Sequence, residues 1–307
     1  MPFADNSYSV FISESRDVFL NLAIEEVLLL DEARSSPMLF FCRNAPAVVL
    51  GRHQNPWLEC DMRYLEEMNL PLARRISGGG TVYHDPGNLN YSLLMPKADY
   101  ERDVILGVVM DALAEIGIEA EIREKSSIFT RGGKISGSAF CFKREKVLHH
   151  GTILLEADLE RLSRSLQAPA LDLETHAVRS TPAKVINLRD IDPGIEEQSC
   201  IAAISSSFSE HFGRQMLRED VDALLEGDEV KRVLESRASP KWVLGNTPAF
   251  SLRHTDPSGA CLRLVFENAL LARCESESGE GLSEGVCEYK PGTPFVDIVK
   301  SGLINCE

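Results

Sequence analysis

The sequence predicts a mixed α/β fold, of the α+β kind, with a small α+β appendage at its carboxy end. Three observations lead there. Strand-like apolar runs, such as Tyr8 to Ser13 and Asn88 to Met95, alternate with longer stretches whose apolar residues share one helical face, as Leu20, Ala23, Ile24, Val27 and Leu28 do. The 307 residues suffice for a large domain with a buried core and a smaller one beside it. Gly245-Asn246-Thr247-Pro248 is a break after which only short strands follow, so residues 1–244 are expected to form the main domain and 250–307 the accessory one.

Taken in order, Tyr8 to Ser13 is a strand and Asp17 to about Ala33 a core helix. Met38 to Arg43 and Ala47 to Arg52 are expected to pair as a hairpin across Asn44-Ala45-Pro46, and Leu58 to Met68 to return the chain as a helix. Tyr83 and Asn88 to Met95 continue as strands. Val104 to Ile116 is an amphipathic helix closed by Gly117 in a left-handed cap. Strands run from Glu119 to Leu155, broken by the turn Arg131-Gly132-Gly133. Helices are expected at Asp158 to Leu166, Glu196 to Phe212 and Arg218 to Arg237. The irregular stretch Ala168 to Pro193 is long enough to be a functional loop or a partner-contacting segment. Phe250 to Arg253, Ala260 to Phe266 and Leu270 to Glu275 are the appendage strands.

Composition excludes several functions. Lys+Arg of 32 against Asp+Glu of 47 gives a net charge of −15, which makes the chain a poor nonspecific binder of nucleic acid or anionic membrane. The eight cysteines contain no C-x-x-C pair, against a zinc ribbon or redox dithiol, and buried free thiols are expected. Met1 to Asn6 has neither a secretion signal nor an arginine-rich presequence, so a cytoplasmic setting is the expectation. The apolar run from Leu20 is interrupted by Glu25 and Glu26, and Val104 to Met110 is too short to span a bilayer.

The most informative stretch runs from Arg74 to Asn88, Arg-Arg-Ile-Ser-Gly-Gly-Gly-Thr-Val-Tyr-His-Asp-Pro-Gly-Asn. Three glycines forgo on the order of 2 to 3 kcal/mol of backbone entropy relative to alanine, so something needs the space. One reading is that backbone N–H groups approach a phosphate or carboxylate beside an arginine; a plain glycine turn or bulge is the other. A second constellation is Gly132-Gly133-Lys134-Ile135-Ser136-Gly137-Ser138-Ala139 with His149-His150-Gly151-Thr152. Lys134 either places its ammonium in a cleft or is a solvated hairpin lysine. Neither segment matches the P-loop or dinucleotide fingerprints.

Together the two segments resemble the lipoate-protein ligase family, in order and in separation. The resemblance extends to Asn21-Leu22-Ala23-Ile24-Glu25-Glu26, Arg43-Asn44, Gly51 to Trp57, and Trp242 to Phe250, and thus covers nearly the whole chain. It implies a catalytic domain of the biotin and lipoate ligase type with a small carboxy-terminal domain. It also implies ATP-dependent activation of lipoate to lipoyl-AMP, with Mg²⁺, and transfer to a lysine of a lipoyl domain. The acceptors implied are the acyltransferase subunits of 2-oxoacid dehydrogenases and the glycine cleavage H protein. By motif match, nucleotide and acyl-adenylate contacts fall on Arg75, Gly78, Gly79, Gly80, Thr81, Val82, Tyr83, Asn88 and Lys134, with Lys134 the catalytic residue touching the α-phosphate and the lipoyl carbonyl. Val82 and Ile135 are expected either in the acyl tunnel or in the core. His149 and His150 are expected to be satisfied by backbone, ahead of a hydrogen bond to the acyl end, and His84 and Asp85 to form the turn and brace the loop, ahead of a catalytic role.

The chain departs from the family pattern at three places. Ser126-Ser127 stands near the usual metal-holding carboxylate, which leaves the metal set open. Cys141 stands where an arginine is common, with Lys143 and Arg144 nearby, and the region after Gly245 is shorter than usual. Two alternatives therefore stay in view: a transferase using preformed lipoyl-AMP or an octanoyl donor, with Cys141 as the sequence candidate for a thiol route, and a catalytically silent binding protein.

Overall fold

The computed structural model describes residues 7–124, 126–255, 261–276 and 290–300. The chain begins with β1 (Ser7–Ser13), α1 (Val18–Leu30), β2 (Met38–Cys42), β3 (Ala47–Leu50), α2 (Met62–Glu67), β4 (Leu72–Arg74), β5 (Val82–His84) and β6 (Asn88–Pro96). It continues through α3 (Arg102–Glu115), β7 (Glu121–Arg123), β8 (Ser127–Phe129), β9 (Lys134–Lys143), β10 (Lys146–Leu154), α4 (Leu159–Ser165) and β11 (Leu173–Thr175). Then come α5 (Glu197–Phe212), β12 (Gln215–Glu219), α6 (Asp222–Leu225), α7 (Asp228–Ala238), α8 (Pro240–Val243), β13 (Phe250–Thr255), β14 (Cys261–Glu267), β15 (Leu270–Ser276) and α9 (Phe295–Lys300).

An eight-stranded sheet of order β12-β1-β2-β6-β10-β9-β8-β7 forms the scaffold, parallel at β12-β1-β2 and antiparallel elsewhere. Its central strands are apolar on both faces, so each must be covered twice. Val10, Leu39, Phe41 and Leu93 pack under α3 and α5, while Phe11, Phe40 and Leu94 pack under α1 and α7. Asp17 caps α1 by accepting from the Phe19 and Leu20 N–H groups, which starts the helix where its apolar face begins. Glu26, buried on this helix, is neutralised by Arg237 of α7.

A three-stranded sheet, β4-β3-β5, packs through Ala47, Val49 and Ala73 against Val18 of α1, and the triple glycine lies between β4 and β5. A four-stranded sheet, β11-β13-β14-β15, packs with α9 around Phe250, Phe266 and Phe295. Trp57 enters that cluster edge-on to Phe295 at 4.7 Å and so joins the two parts. No helix among the described residues is long and apolar enough to cross a membrane.

Three expectations are corrected. Residues 38–52 are not a hairpin: β2 joins the large sheet and β3 the small one. The intervening Asn44 is 2% exposed and hydrogen-bonded to Asn21 and His84, so the segment is a pinned crossover rather than a free turn. The helix expected at 58–68 is split, because Asp61 caps a new start by accepting from Tyr64 N–H at 3.0 Å. Residues 218 and 219 belong to an edge strand, where Glu219 is held by Arg34 at 2.7 Å, and Gly227 delays the helix to Asp228. The amino-terminal residues 1–6, Ala260, Cys287 and Cys306, on which sequence expectations also fell, lie outside the described residues.

Candidate active site

The two consecutive arginines of the glycine segment have different fates. Arg74, 1% exposed, faces away from the cleft, and its guanidinium donates to the carbonyls of Val243, Gly51, Arg52 and Gln54 and to Thr247 Oγ1 at 2.7–3.2 Å. Arg75 lies in the cleft wall. Its Nε donates to Ser77 Oγ at 3.0 Å, Nη1 to the Val49 carbonyl at 3.1 Å, and Nη2 to the Gly78 and Gly80 carbonyls at 2.6 and 2.7 Å. One Nη1 N–H is left over. Burial lowers the pKa of both arginines to about 10, so both remain cations at neutral pH.

The glycines make room for protein before ligand. Gly79 has φ +82, and a Cβ there would stand 3.0 Å from Arg75 Nη2 and 3.3 Å from Ala139 Cβ. A Cβ on Gly80 would meet Ser180 Oγ at 2.9 Å, and one on Gly51 would meet the Gly79 carbonyl oxygen at 2.1 Å. Gly78 faces open space. Gly79→Ala is therefore expected to destabilise the loop by roughly 1–2 kcal/mol and to weaken ligand binding, while Gly78→Ala stays within about 0.5 kcal/mol of the parent. Thermal melts and ligand titrations of the two variants check this.

Residues 178–185 cross above the glycine loop as a strap. Ser180 Oγ accepts from Thr81 N–H at 2.9 Å and Gln54 Nε2 at 3.0 Å and donates to the Glu59 carboxylate, which also pairs with Arg179 at 3.3 Å. Lys134 N–H donates to the Lys184 carbonyl at 2.8 Å. The strap divides the cleft into two chambers. The first, of about 340 Å³, has apolar walls at Leu22, Phe40, Val49 and Val82, and Arg75, Gly79 and Gly80 line it. The second, of about 630 Å³, is lined by Tyr83, Ser136, Leu154 and the strap.

Lys134, Thr81 and Val82 line both chambers. Lys134 Nζ forms no hydrogen bond or ion pair among the described residues, and it leans over Gly137, where a Cβ would lie 3.2 Å away. Burial lowers its pKa, and the charge of Glu124 opposes that shift. The structure thus brings Arg75, Gly79, Gly80, Thr81, Val82, Tyr83 and Lys134 to one cleft. It leaves Asn88 and Gly78 outside both chambers: Asn88 is buried at the head of β6 with its Nδ2 on Asn90 Oδ1 at 3.1 Å, and Gly78 faces outward. Ile135 is core, whereas Val82 is wall.

Both histidines of the His-His pair take side-chain partners, not the backbone ones expected. His149 sits between Tyr100 Oη at 3.2 Å and Ser138 Oγ at 3.0 Å. His150 Nδ1 faces Glu25 Oε1 at 2.8 Å. Asp85 braces the loop as expected, accepting from Gly87 and Asp158 N–H at 2.8 and 2.7 Å. Burial holds His84 and His149 neutral with pKa values lowered to about 3; nearby Arg75 and His150 reinforce this for His84, and His150 and Arg102 for His149. An unfolded histidine binds a proton near pH 6.5. Stability is therefore full above that pH and falls as pH drops from 6.5 toward 3, by about 1.4 kcal/mol per pH unit for each histidine. Denaturant midpoints measured against pH are expected to fall over this window, and less steeply in His149→Gln.

Cys141 lines neither chamber, and burial raises its thiol pKa, the opposite of activation. Among the described residues no group of three or more His, Cys, Asp or Glu side chains forms a metal cage. Ser127 lines the first chamber, and Ser126 Oγ donates to the Ser138 carbonyl at 3.1 Å. Sequence reasoning missed Glu124, which sits at a left-handed turn position, φ 51, beside the first chamber and within electrostatic reach of Lys134. Its turn location just before the two serines was the available cue. Glu25, Gln54, Glu59 and Ser180 were missed as well.

Residues 17–212 match the model of the lipoyl protein ligase A/B catalytic domain. Among solved structures, P. falciparum LipL1 in complex with lipoate superposes with a TM-score of 0.71 at 24% identity, over 87% of this chain and 84% of that one. A lipoate-protein ligase A bound with ATP matches with a TM-score of 0.63 at 22% identity, over 78% and 98% of the two chains. A bipartite lipoate protein ligase from Thermoplasma acidophilum, described with its E2 lipoyl domain, gives 0.63 at 21%, over 78% and 96%. At these identities the likeness is one of fold.

Proposed function

The chain belongs to the family of lipoyl protein ligase A/B catalytic domains, and from that premise we propose that it is an ATP-dependent lipoate-protein ligase. It activates lipoate as lipoyl-AMP and passes the acyl group to a lysine of a lipoyl domain. The observation that carries this reading is Lys134, an unpaired ammonium where a chamber walled in part by Leu22, Phe40, Val49 and Val82 meets a second one. Lipoate bound to P. falciparum LipL1 and ATP bound to lipoate-protein ligase A, on the same fold, support the two substrates. Residues 1–244 supply the catalytic domain and 250–307 an accessory domain, and the buried thiols Cys42, Cys60 and Cys200 suit the cytoplasm.

In the first step a carboxylate oxygen forms a bond to the α-phosphorus while the bond to pyrophosphate breaks. Two anions are brought together, so cations and N–H groups must offset their repulsion. Lys134, the remaining Arg75 N–H, and the Gly79 and Gly80 N–H groups, which have no partner among the described residues, supply them. In the second step the acceptor amine bonds to the acyl carbon, AMP leaves with the electron pair, and a proton goes to solvent. Lys134 polarises the carbonyl. Mg²⁺ commonly binds through one or two carboxylates plus substrate phosphates; of the chamber's carboxylates Glu25 is engaged by Ser92 and His150, so Glu124 would be the one to hold the ion, which would neutralise phosphate charge there.

The acceptors are lipoyl domains of 2-oxoacid dehydrogenase acyltransferase subunits and the glycine cleavage H protein; the archaeal ligase described with its E2 lipoyl domain supports the first. Incubation with ATP, lipoate and an apo lipoyl domain is expected to release pyrophosphate and add one lipoyl mass to the acceptor. Activity with lipoyl-AMP but none with ATP plus lipoate would select the transferase reading, which Ser127 in the cleft wall favours. A thiol route is disfavoured by the raised pKa of Cys141, and Cys141→Ser is expected to keep full transfer activity.

A further inference from the structure

A buried chain of hydrogen bonds runs through the wall of the first chamber, joining four elements far apart in sequence. Ser92 Oγ of β6 donates to Glu25 Oε1 of α1 at 2.6 Å, and the same oxygen faces His150 Nδ1 of β10 at 2.8 Å. His150 Nε2 lies 2.6 Å from Ser77 Oγ, and Ser77 Oγ accepts from Arg75 Nε at 3.0 Å. Glu25, Ser77, Ser92 and Arg75 are all buried.

The protons can be placed by elimination. A carboxylate only accepts, so Nδ1 carries the proton of a neutral imidazole. Nε2 is then an acceptor, and the Ser77 hydroxyl donates to it. That leaves the Ser77 lone pairs for the arginine N–H, and every donor points the same way, from Arg75 through Ser77 and His150 to Glu25. A doubly protonated ring would turn Nε2 into a donor and strand the hydroxyl proton of a residue only 1% exposed.

The array resembles a serine, histidine and acid triad, yet Ser77 lines neither chamber, and a guanidinium N–H already occupies its oxygen. An acyl carbon has no approach to it. What the chain does reach is Arg75, whose Nη2 holds the Gly78 and Gly80 carbonyls.

We propose that Glu25, His150 and Ser77 are positioning residues that orient Arg75, and through it the glycine loop, for formation of the acyl-adenylate. The proposal rests on the ligase reading above. Ser77 is the informative position, because it cannot touch a ligand in either chamber. Ser77→Ala is expected to lower kcat for pyrophosphate release by roughly 10- to 100-fold and to raise KM for ATP with KM for lipoate little changed; the melting temperature falls by a few degrees, because Arg75 Nε and His150 Nε2 each lose a buried partner, and the split between the two KM values is the readout that a merely structural role would not give. In ¹⁵N-histidine NMR spectra of the parent protein, His150 is expected as the Nδ1–H tautomer with Nε2 unprotonated, and Glu25→Gln is expected to shift both nitrogens.

Parent-like kcat and KM in Ser77→Ala, or a His150 protonated on Nε2, would overturn the proposal. So would a stable acyl mass on Ser77 after incubation with an acyl donor, since that would make the serine a nucleophile. If the parent protein released no pyrophosphate with any acid, the ligase reading would fail, and the tautomer together with Arg75-dependent binding of ATP would still decide the relay.

Discussion

Lys134→Ala is expected to lower lipoyl transfer by roughly 100- to 1,000-fold with little change in melting temperature. The ammonium has no partner among the described residues, so its loss strands no buried acceptor. It also lines both chambers, so both partial reactions are expected to suffer: pyrophosphate release from ATP and lipoate, and transfer from preformed lipoyl-AMP. Gly137→Ala gives a graded version, because its Cβ would lie 3.1 Å from Lys134 Cε and 3.2 Å from Nζ and push the side chain off its resting place. Pre-steady-state rates for the two steps check both variants. A variant that lost only the first step would place Lys134 at the phosphate alone.

The largest effect on stability is expected one residue from the cleft arginine. Arg74 satisfies four backbone carbonyls and a threonine hydroxyl between the 51–54 turn and the 243–247 segment, and Trp242 Nε1 donates to its own carbonyl at 2.7 Å. Truncation to Arg74→Leu leaves those carbonyls buried without donors. A cost of roughly 3 to 5 kcal/mol follows from a penalty of about 1–3 kcal/mol per unsatisfied group, partly relieved by relaxation. That corresponds to a fall in melting temperature on the order of 10 °C. Arg74→Lys is expected to recover only part of it, since one ammonium cannot reproduce a planar five-donor fork. Calorimetry of the three proteins compares them directly.

The contrast between Arg74 and Arg75 shows where the sequence ran out. Both read as fixed cations before a glycine loop, but Arg74 ends β4 and Arg75 follows it, and their side chains go opposite ways, so one clamps carbonyls behind the loop and the other enters the cleft wall. The core helices were legible because their apolar spacing is local, as were the paired strands around Lys134 and the left-handed cap at Gly117, φ +82. The crossover at Asn44 was not, because a tight turn and a pinned connection share the same residues, and only Asn21 and His84 decide between them. The triple glycine correctly marked a close approach, but the atoms that approach belong to Gly51, Arg75 and Ser180. His150 found its partners in Glu25 and Ser77, contacts that no local pattern encodes.

A crystal structure with a non-hydrolysable lipoyl-adenylate analogue tests the central claim most directly. The acyl chain is expected between Leu22, Phe40 and Val82, the adenosine in the chamber lined by Tyr83 and Ser136, and Lys134 Nζ at about 3 Å from the atoms linking them. An analogue lying wholly on one side of the strap, or bound with Lys134 turned away from the linkage, would contradict it.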